Sequence, residues 1–385
     1  MGRKFTRKIE DFCYKILKPY GIYRIRKVMP NITYDIGEGI EFKRKEPFLL
    51  IGNHQYEVDS GIYGTPWRKK PIAVVSRSLM VTPYKRFKYK FVASGIPKSQ
   101  GEPEIHSIKR MIKTVRNNDP LFILPEGETN YFGQSLHIDD SIAKLVKKLN
   151  VDVITAVSRG GYISSPRWAY KLRSFRFVFV EFRKLIPKEK ITEMSVDEIY
   201  VLIKDKLFVN DYDFQRDVMI WVGGTKRAIG LEKFIFACPE CKSINTIDTE
   251  KNDIFCTHCG ERGTIDAYGF IKNIEFDNTY DWHLFQNTLI EELKESTFST
   301  SGIIYDVFYE KFKSKRVGRI DLSYSDGFFN ITGAWSELIP VKQIKYFRLT
   351  QMNVITFNYN SKHYFIRIEK HNEAFKQVAK GWSDE

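Results

Sequence analysis

The chain has 385 residues, 43% of them apolar and 28% charged, with a formal net charge of +14. That is enough apolar material for two or three domains with real cores, which excludes a disordered tail or a disulfide-stapled miniprotein. No stretch approaches eighteen consecutive apolar residues and the N-terminus lacks the apolar core of a signal peptide, so no spanning helix is expected and the expected location is cytoplasmic.

Nine Lys or Arg fall in the first thirty residues against Glu10 and Asp11, so half of the excess charge sits on less than a tenth of the chain. Such concentration points to an anionic surface, membrane or nucleic acid. Within it, Phe5, Ile9, Phe12, Ile16 and Tyr20 recur at helical steps among Lys4, Arg7, Lys8, Lys15 and Lys18. The spacing predicts a basic amphipathic helix ending near Pro19, lying in a lipid interface or packed on its own domain with a solvated basic face.

Phe48-Leu49-Leu50-Ile51-Gly52 reads as a buried parallel strand, and Asn53-His54-Gln55-Tyr56-Glu57-Val58-Asp59 as the loop at its C-terminal end, where open α/β sheets place their chemistry. Positions five apart on one helix lie about 140° apart, so His54 and Asp59 meet only if the chain bends between them. If they meet, Asp59 holds one ring nitrogen and the other can take a proton from a hydroxyl. Pro71 to Val75 is a second strand with Arg77 just beyond it, and Tyr84 to Phe91 alternates cations with aromatics. That patch suits a nucleic acid, a membrane surface or a connecting helix with snorkelling lysines.

Ile105 to Val115 reads as a helix stopped at Asn117-Asn118-Asp119-Pro120, and Leu121 to Leu124 as a third strand running into Pro125-Glu126-Gly127-Glu128-Thr129. A helix through Ile142 to Leu149, a fourth strand at Val153 to Val157 and a fifth at Phe175 to Phe182 follow, an alternation that predicts a largely parallel sheet. Ser195-Val196-Asp197-Glu198 is a capping box opening one more helix.

These blocks, in this order and at this spacing, resemble the glycerolipid acyltransferase family, specifically 1-acylglycerol-3-phosphate acyltransferases, over roughly residues 30 to 215. The matching positions are Asn53 to Asp59, Gly95-Ile96-Pro97-Lys98, Leu124-Pro125-Glu126-Gly127 and Ile154 to Val157. The resemblance implies that His54 deprotonates the free hydroxyl of a lysophospholipid while Asp59 orients the imidazole. The acyl donor would be an acyl-CoA or acyl-carrier-protein thioester, and the product phosphatidic acid. It also implies substrate-binding positions at Asn53, Arg77, Lys98, Glu126 and Gly127. The chain departs from the pattern where Glu128-Thr129 replaces Thr-Arg, where Ser99-Gln100 follows Lys98, and where the last block lacks proline.

Beyond Gly223-Gly224, Cys238-Pro239-Glu240-Cys241 and Cys256-Thr257-His258-Cys259 lie fourteen residues apart. Two such knuckles at hairpin separation predict a four-thiolate ribbon holding structural zinc, with His258 outside the ligand set. Asp281 to Leu293 reads as helical. Gly318 to Leu322, Phe328 to Ile331, Ile344 to Leu349, Val354 to Phe357 and Tyr364 to Ile368 read as antiparallel strands, with Asn372 capping a final helix. This layout resembles a pleckstrin-homology-like lipid-surface module; a protein-interaction or purely structural β domain fits it as well.

The expected organisation is a membrane-surface helix at 1–30, an α/β acyltransferase domain with a mostly parallel sheet flanked by helices at 31–225, a zinc ribbon at 232–268 and a β-rich domain at 270–385. The expected partners are a membrane phospholipid surface, the lysophospholipid acceptor and, for a carrier-bound donor, acyl carrier protein, on the inner face of the cell membrane. A nucleic-acid-binding zinc-ribbon protein and a catalytically inactive lipid-binding relative are the alternatives; the first leaves the His54 and Glu126 loops unexplained.

Overall fold

The computed structural model describes residues 3–56, 58–81, 86–87, 89, 95–98, 105–308, 313–350 and 352–382, with the backbone alone for 3–11. Of the cation-aromatic patch Tyr84 to Phe91, Arg86, Phe87 and Tyr89 are described and the rest lies outside these residues, as do Ser99 and Gln100. The chain forms two compact units, one of 1–130, 134–164 and 176–214, the other of 131–133, 165–175 and 215–385.

The first unit is built on a seven-stranded sheet. Its strands are β1 (Asn31–Ile36), β2 (Leu49–Gly52), β3 (Ile72–Ser76), β4 (Ile96–Lys98), β5 (Leu121–Ile123), β6 (Val153–Arg159) and β7 (Phe177–Ile186), in the order β1-β7-β6-β2-β5-β3-β4. The five strands from β6 to β4 are parallel. The fifth expected strand, β7, runs antiparallel to β6, and β1 follows β7 in parallel, so the sheet is mixed at that side.

Strand β2 is covered on both faces, which is why it reads as an unbroken apolar run. Leu49 and Ile51 join a core with Val146, Ile199 and Ile203, while Phe48 and Leu50 join another with Trp67, Ile154 and Phe182. The helix Val196–Leu207 supplies part of the first core and opens on the expected capping box at Ser195 and Glu198. Strands β1 and β4 carry no sequence signal: β1 is mostly exposed, and β4 has three residues with a proline among them.

The first helix spans Arg3–Val28 and does not stop at Pro19. A mid-helix proline costs about 3 kcal/mol. The part beyond it is held by packing, since Ile25 and Val28 lie against the core around Phe48 and Trp67. Phe12, Ile16, Tyr20 and Tyr23 are 52–64% exposed, and at 100° per residue they share one stripe about 80° wide. Among the described residues no helix is long and apolar enough to cross a membrane.

The second unit holds two antiparallel sheets. The smaller comprises β8 (Ile247–Glu250), β9 (Asp253–Cys256), β10 (Arg262–Ile265) and β11 (Ile271–Lys272) in the order β11-β10-β9-β8. The larger has seven strands: β12 (Phe298–Phe308), β13 (Lys313–Ser325), β14 (Phe328–Gly333), β15 (Glu337–Pro340), β16 (Lys345–Thr350), β17 (Val354–Tyr359) and β18 (Lys362–Ile368), with β12 pairing both β13 and β18. Strand β12 escapes sequence reading because Ser299, Thr300 and Ser301 fill its start, and β15 because it is four residues long.

The helix expected over Asp281 to Leu293 is two, Thr279–Asn287 capped by Asn278 and Ile290–Glu295. The last helix runs Asn372–Gly381 with Asn372 inside its first turn. Its side-chain amide donates to the Met352 carbonyl at 2.6 Å, and the left-handed residue before the helix is His371.

Candidate active site

The register of the parallel strands aligns their C-terminal loops. Leu50 pairs with Phe122 on β5 and Ile154 on β6, and Phe122 pairs with Ala73 on β3. Four residues beyond that row stand His54, Glu126, Ser158 and Arg77. On the neighbouring β4, Lys98 pairs with Ser76 of β3. At the ordinary strand spacing Arg77 starts two strands, about 10 Å, from His54, and Lys98 three strands, about 14 Å.

Asn53 opens the loop and is fully buried. Its amide nitrogen donates to the Ser158 carbonyl at 2.8 Å, and its oxygen accepts from Ser158 N–H at 2.8 Å and from the Tyr63 hydroxyl at 2.8 Å. Its polar groups brace the end of β2 against β6. Gly52, just before it, allows the Tyr63 ring to approach, since a Cβ there would meet that ring at 2.6 Å and the Ala156 carbonyl oxygen at 2.8 Å.

The bend needed to bring His54 and Asp59 together exists. Tyr56 N–H donates to Asp59 Oδ2 at 2.6 Å, and the Asp59 N–H returns to the Tyr56 carbonyl at 3.2 Å, so the chain turns before the helix Asp59–Gly64 begins. His54 Nδ1 then lies 3.3 Å from Asp59 Oδ2, with the carboxylate wholly buried and the imidazole 18% exposed. Burial pushes the Asp59 carboxyl up, and its contact with His54 and the Tyr56 N–H pull it back down. On the far side of the ring, His54 Nε2 lies 3.4 Å from the hydroxyl of Thr129.

Glu126 is buried, and its carboxylate clamps backbone: Oε1 accepts from His54 N–H at 2.8 Å and Oε2 from Leu136 N–H at 2.7 Å. It is therefore no solvated turn residue. Burial pushes its carboxyl up to about 8, with Asp59 adding to the rise and the two N–H groups opposing it. Gly127 closes the turn on the Leu124 carbonyl at 3.1 Å with φ +72°, a left-handed conformation that favours glycine. Asn130 N–H donates to the His54 carbonyl at 3.2 Å, a second tie between the loops. Behind them, buried Asp211 accepts from Gly160 and Tyr162 N–H, both at 2.8 Å, fixing the loop after β6.

An imidazole fixed by a buried carboxylate at the mouth of a mixed α/β sheet is equipped to take a proton from a hydroxyl. Residues 36–159, which contain this whole arrangement, match the family model described as acyltransferase. These residues form an acyltransferase domain. The solved structure of the 1-acyl-sn-glycerophosphate (LPA) acyltransferase, PlsC, from Thermotoga maritima superposes with a TM-score of 0.45 at 14% identity, over 56% of this chain and 83% of that one. No curated protein matches the chain.

Of the residues singled out in the sequence, the structure brings His54, Asp59 and Glu126 into contact and leaves Arg77 and Lys98 on strands farther along the sheet, while Tyr63, Ser158 and Thr129, which touch these loops, were not singled out. Thr129 registered only as a departure from the family pattern. Its contact depends on how the two loops face each other, which spacing along the chain does not encode.

The second unit carries the four cysteines as one cluster, their sulfurs all within 4.8 Å of one another. Cys238 and Cys259 stand 3.7 Å apart and Cys241 and Cys256 3.8 Å. A tetrahedral ion with metal–sulfur bonds near 2.3 Å requires sulfur separations of about 3.8 Å, so the donor set fits such an ion. Both knuckles close alike: Lys242 N–H donates to the Cys238 carbonyl at 3.0 Å and Gly260 N–H to the Cys256 carbonyl at 3.1 Å, with φ +57° and +81°. His258 contributes its backbone N–H to Cys256 Sγ at 3.4 Å, a bond that suits a thiolate.

Proposed function

We propose that the chain moves a fatty acyl group from an acyl thioester to the free hydroxyl of a lysophospholipid, with 1-acylglycerol-3-phosphate as acceptor and phosphatidic acid as product. The observation that carries this reading is the His54–Asp59 pair within a domain of the acyltransferase family. Asp59 accepts a hydrogen bond from Nδ1–H, which leaves the lone pair of Nε2 to act as the base. His54 takes the acceptor's hydroxyl proton as that oxygen attacks the thioester carbonyl. The tetrahedral oxyanion then collapses, the carbon–sulfur bond breaks, and Nε2 gives its proton to the departing sulfur, which leaves as the free thiol and returns the imidazole to its neutral form.

Asn53 and Glu126 serve in this reading as groups that hold the His54 backbone, because their polar atoms are engaged with Ser158, Tyr63 and the His54 and Leu136 N–H groups. Gly127 supplies the turn that carries Glu126. Arg77 is the nearer cation for the acceptor phosphate, and Lys98 the farther. A phosphomonoester carries close to two negative charges, and an arginine fork about 10 Å away spans the gap with its own length.

Membrane attachment in this proposal is peripheral, on the inner face of the cell membrane. The exposed stripe of Phe12, Ile16, Tyr20 and Tyr23 lies among exposed Lys15, Arg24 and Lys27 and suits the boundary between acyl chains and head groups. The four thiolates hold structural zinc. Both acyl-CoA and an acyl carrier protein remain as donors, and nucleic acid has no part in the reaction.

The test is transfer from a long-chain acyl thioester to lysophosphatidic acid in vesicles, comparing the wild-type chain with His54→Ala. Product with the wild type and a loss of about a hundredfold or more in the variant is expected. Equal activity would remove His54 from the chemistry, and no product with any lysophospholipid would overturn the reaction.

A further inference from the structure

The large sheet of the second unit buries one face, where Phe375 of the last helix meets Phe298 and Phe329, and leaves the other open. Along β12, Thr300, Gly302 and Ile304 are buried, and Ser301, Ile303 and Tyr305 alternate with them on the open face. Directly paired residues share a face, so Arg319 of β13 and Arg367 of β18 flank Ile303, and Arg316 of β13 stands beside Tyr305. Three residues apart on a regular strand, Arg316 and Arg319 would point to opposite faces. A bulge at Val317, opposite the step from Ile304 to Tyr305, adds one residue to β13 and brings both arginines to the open side.

Arg316, Arg319 and Arg367 are exposed, and at ordinary sheet spacings their Cα atoms stand about 7–12 Å from one another. Among the described residues no carboxylate pairs with any of them. Asp321, the acid nearest in register, lies one row back and accepts from the Ser301 hydroxyl at 2.7 Å. Three positive charges gathered so closely repel, and an anionic surface laid across them relieves that repulsion. Between the arginines run Ile303, Tyr305 and Val307, all partly exposed. The Tyr305 ring is already engaged, with Arg367 over it at 6.0 Å and the Phe365 ring edge-on at 5.7 Å, so it is a poor platform for a nucleobase. Branched aliphatic side chains between guanidinium forks suit the boundary of phosphate head groups and acyl chains.

We infer that this open face is a membrane contact in its own right, with Arg316, Arg319 and Arg367 binding the phosphates of anionic phospholipids and Ile303 and Val307 meeting the head-group boundary. It extends the reading of a peripheral membrane protein, but it stands on residues far along the chain from the first helix and on no catalytic assignment.

The test is sedimentation of the full-length chain with phosphatidylcholine vesicles, with and without phosphatidylglycerol. Arg316→Gln, Arg319→Gln and Arg367→Gln together change exposed positions, and circular dichroism checks that the chain folds. This triple variant should bind the phosphatidylglycerol vesicles about tenfold to a hundredfold more weakly, as expected for three cations at an anionic surface. Lys188→Gln, Lys190→Gln and Lys204→Gln, which remove the same charge from exposed places on the other unit, should stay close to wild type. Equal losses in the two triple variants would reduce the effect to net charge and overturn the inference.

A photoreactive benzoylphenylalanine in place of Val307 should crosslink to phosphatidylglycerol; a vesicle-bound chain that crosslinks to no lipid there overturns the contact. So does an arginine variant that loses affinity for single-stranded DNA and keeps its affinity for vesicles. Repeating the comparison with Phe12→Ser and Ile16→Ser in both chains separates this face from the first helix, because the arginine effect should persist at the same factor. If the wild type transfers no acyl group, the proposed reaction fails on its own, and vesicle binding still decides whether this face meets the membrane.

Discussion

Glu126 carries its proton into the neutral range, and the consequence is measurable. Its carboxyl stands at about 8 in the folded protein against 4.5 as its ordinary value, because burial outweighs the two N–H groups that favour the anion. The folded state thus holds this proton more tightly than the unfolded chain. The stability that follows is complete below pH 4.5 and declines as pH rises through about 8. Urea denaturation of the wild type should show that decline, and Glu126→Gln, which cannot titrate, should show a flatter profile over the same range. Parallel profiles would mean that Glu126 does not titrate as its burial implies. At this scale the sequence was readable where a polar residue follows an apolar run, as with His54, Asp59 and Glu126. It was opaque where a polar group sits inside a buried element, as with Tyr63 and Ser158, whose types suggest ordinary core and strand positions.

The elements owe their alignment to close packing at the strand ends. Gly52 is a tight place beside His54, because any side chain there would be driven into the Tyr63 ring, whose hydroxyl bonds Asn53. Gly52→Ala should cost about 1–3 kcal/mol of stability by overpacking and should lower acyl transfer with it, since Asn53 shifts next to His54. A variant as stable and active as the wild type would show that the ring yields freely. At the four-cysteine cluster the corresponding constraint is the proposed zinc. Elemental analysis should find one zinc per chain, and stripping it with a strong chelator should speed amide exchange through β8 to β11, because zinc binding to such sites contributes directly to folding. Unchanged exchange after complete removal would refute a structural zinc. The buried strands β2, β5 and β6 and the capped helix Val196–Leu207 were legible because periodicity and caps are local signals. The extent of the first helix was not, because packing of Ile25 and Val28 beyond Pro19 is a tertiary effect.

At the scale of the molecule the dominant quantity is charge. With +14 overall and nine cations in the first thirty residues, sedimentation with vesicles should rise with their content of anionic lipid and fall with salt, since the screening length is about 8 Å at physiological ionic strength. Replacing Phe12 and Ile16 by Ser should weaken binding that survives high salt; tighter binding to DNA or RNA than to vesicles would argue for a different partner. The broad α/β plan was legible from alternating strands and helices, whereas the grouping of 131–133 and 165–175 with the second unit follows from distant contacts and left no mark in composition. That grouping bears on how the protein can be handled. Tyr131, Phe132 and Trp168 are buried, and they belong to short segments that interrupt the first unit. The chain passes from one unit to the other at 130/131, 133/134, 164/165, 175/176 and 214/215. No single cut yields both units whole: a fragment ending at 214 would keep those three aromatic side chains without the rest of the unit they belong to, so a boundary drawn along the chain does not coincide with a boundary in space.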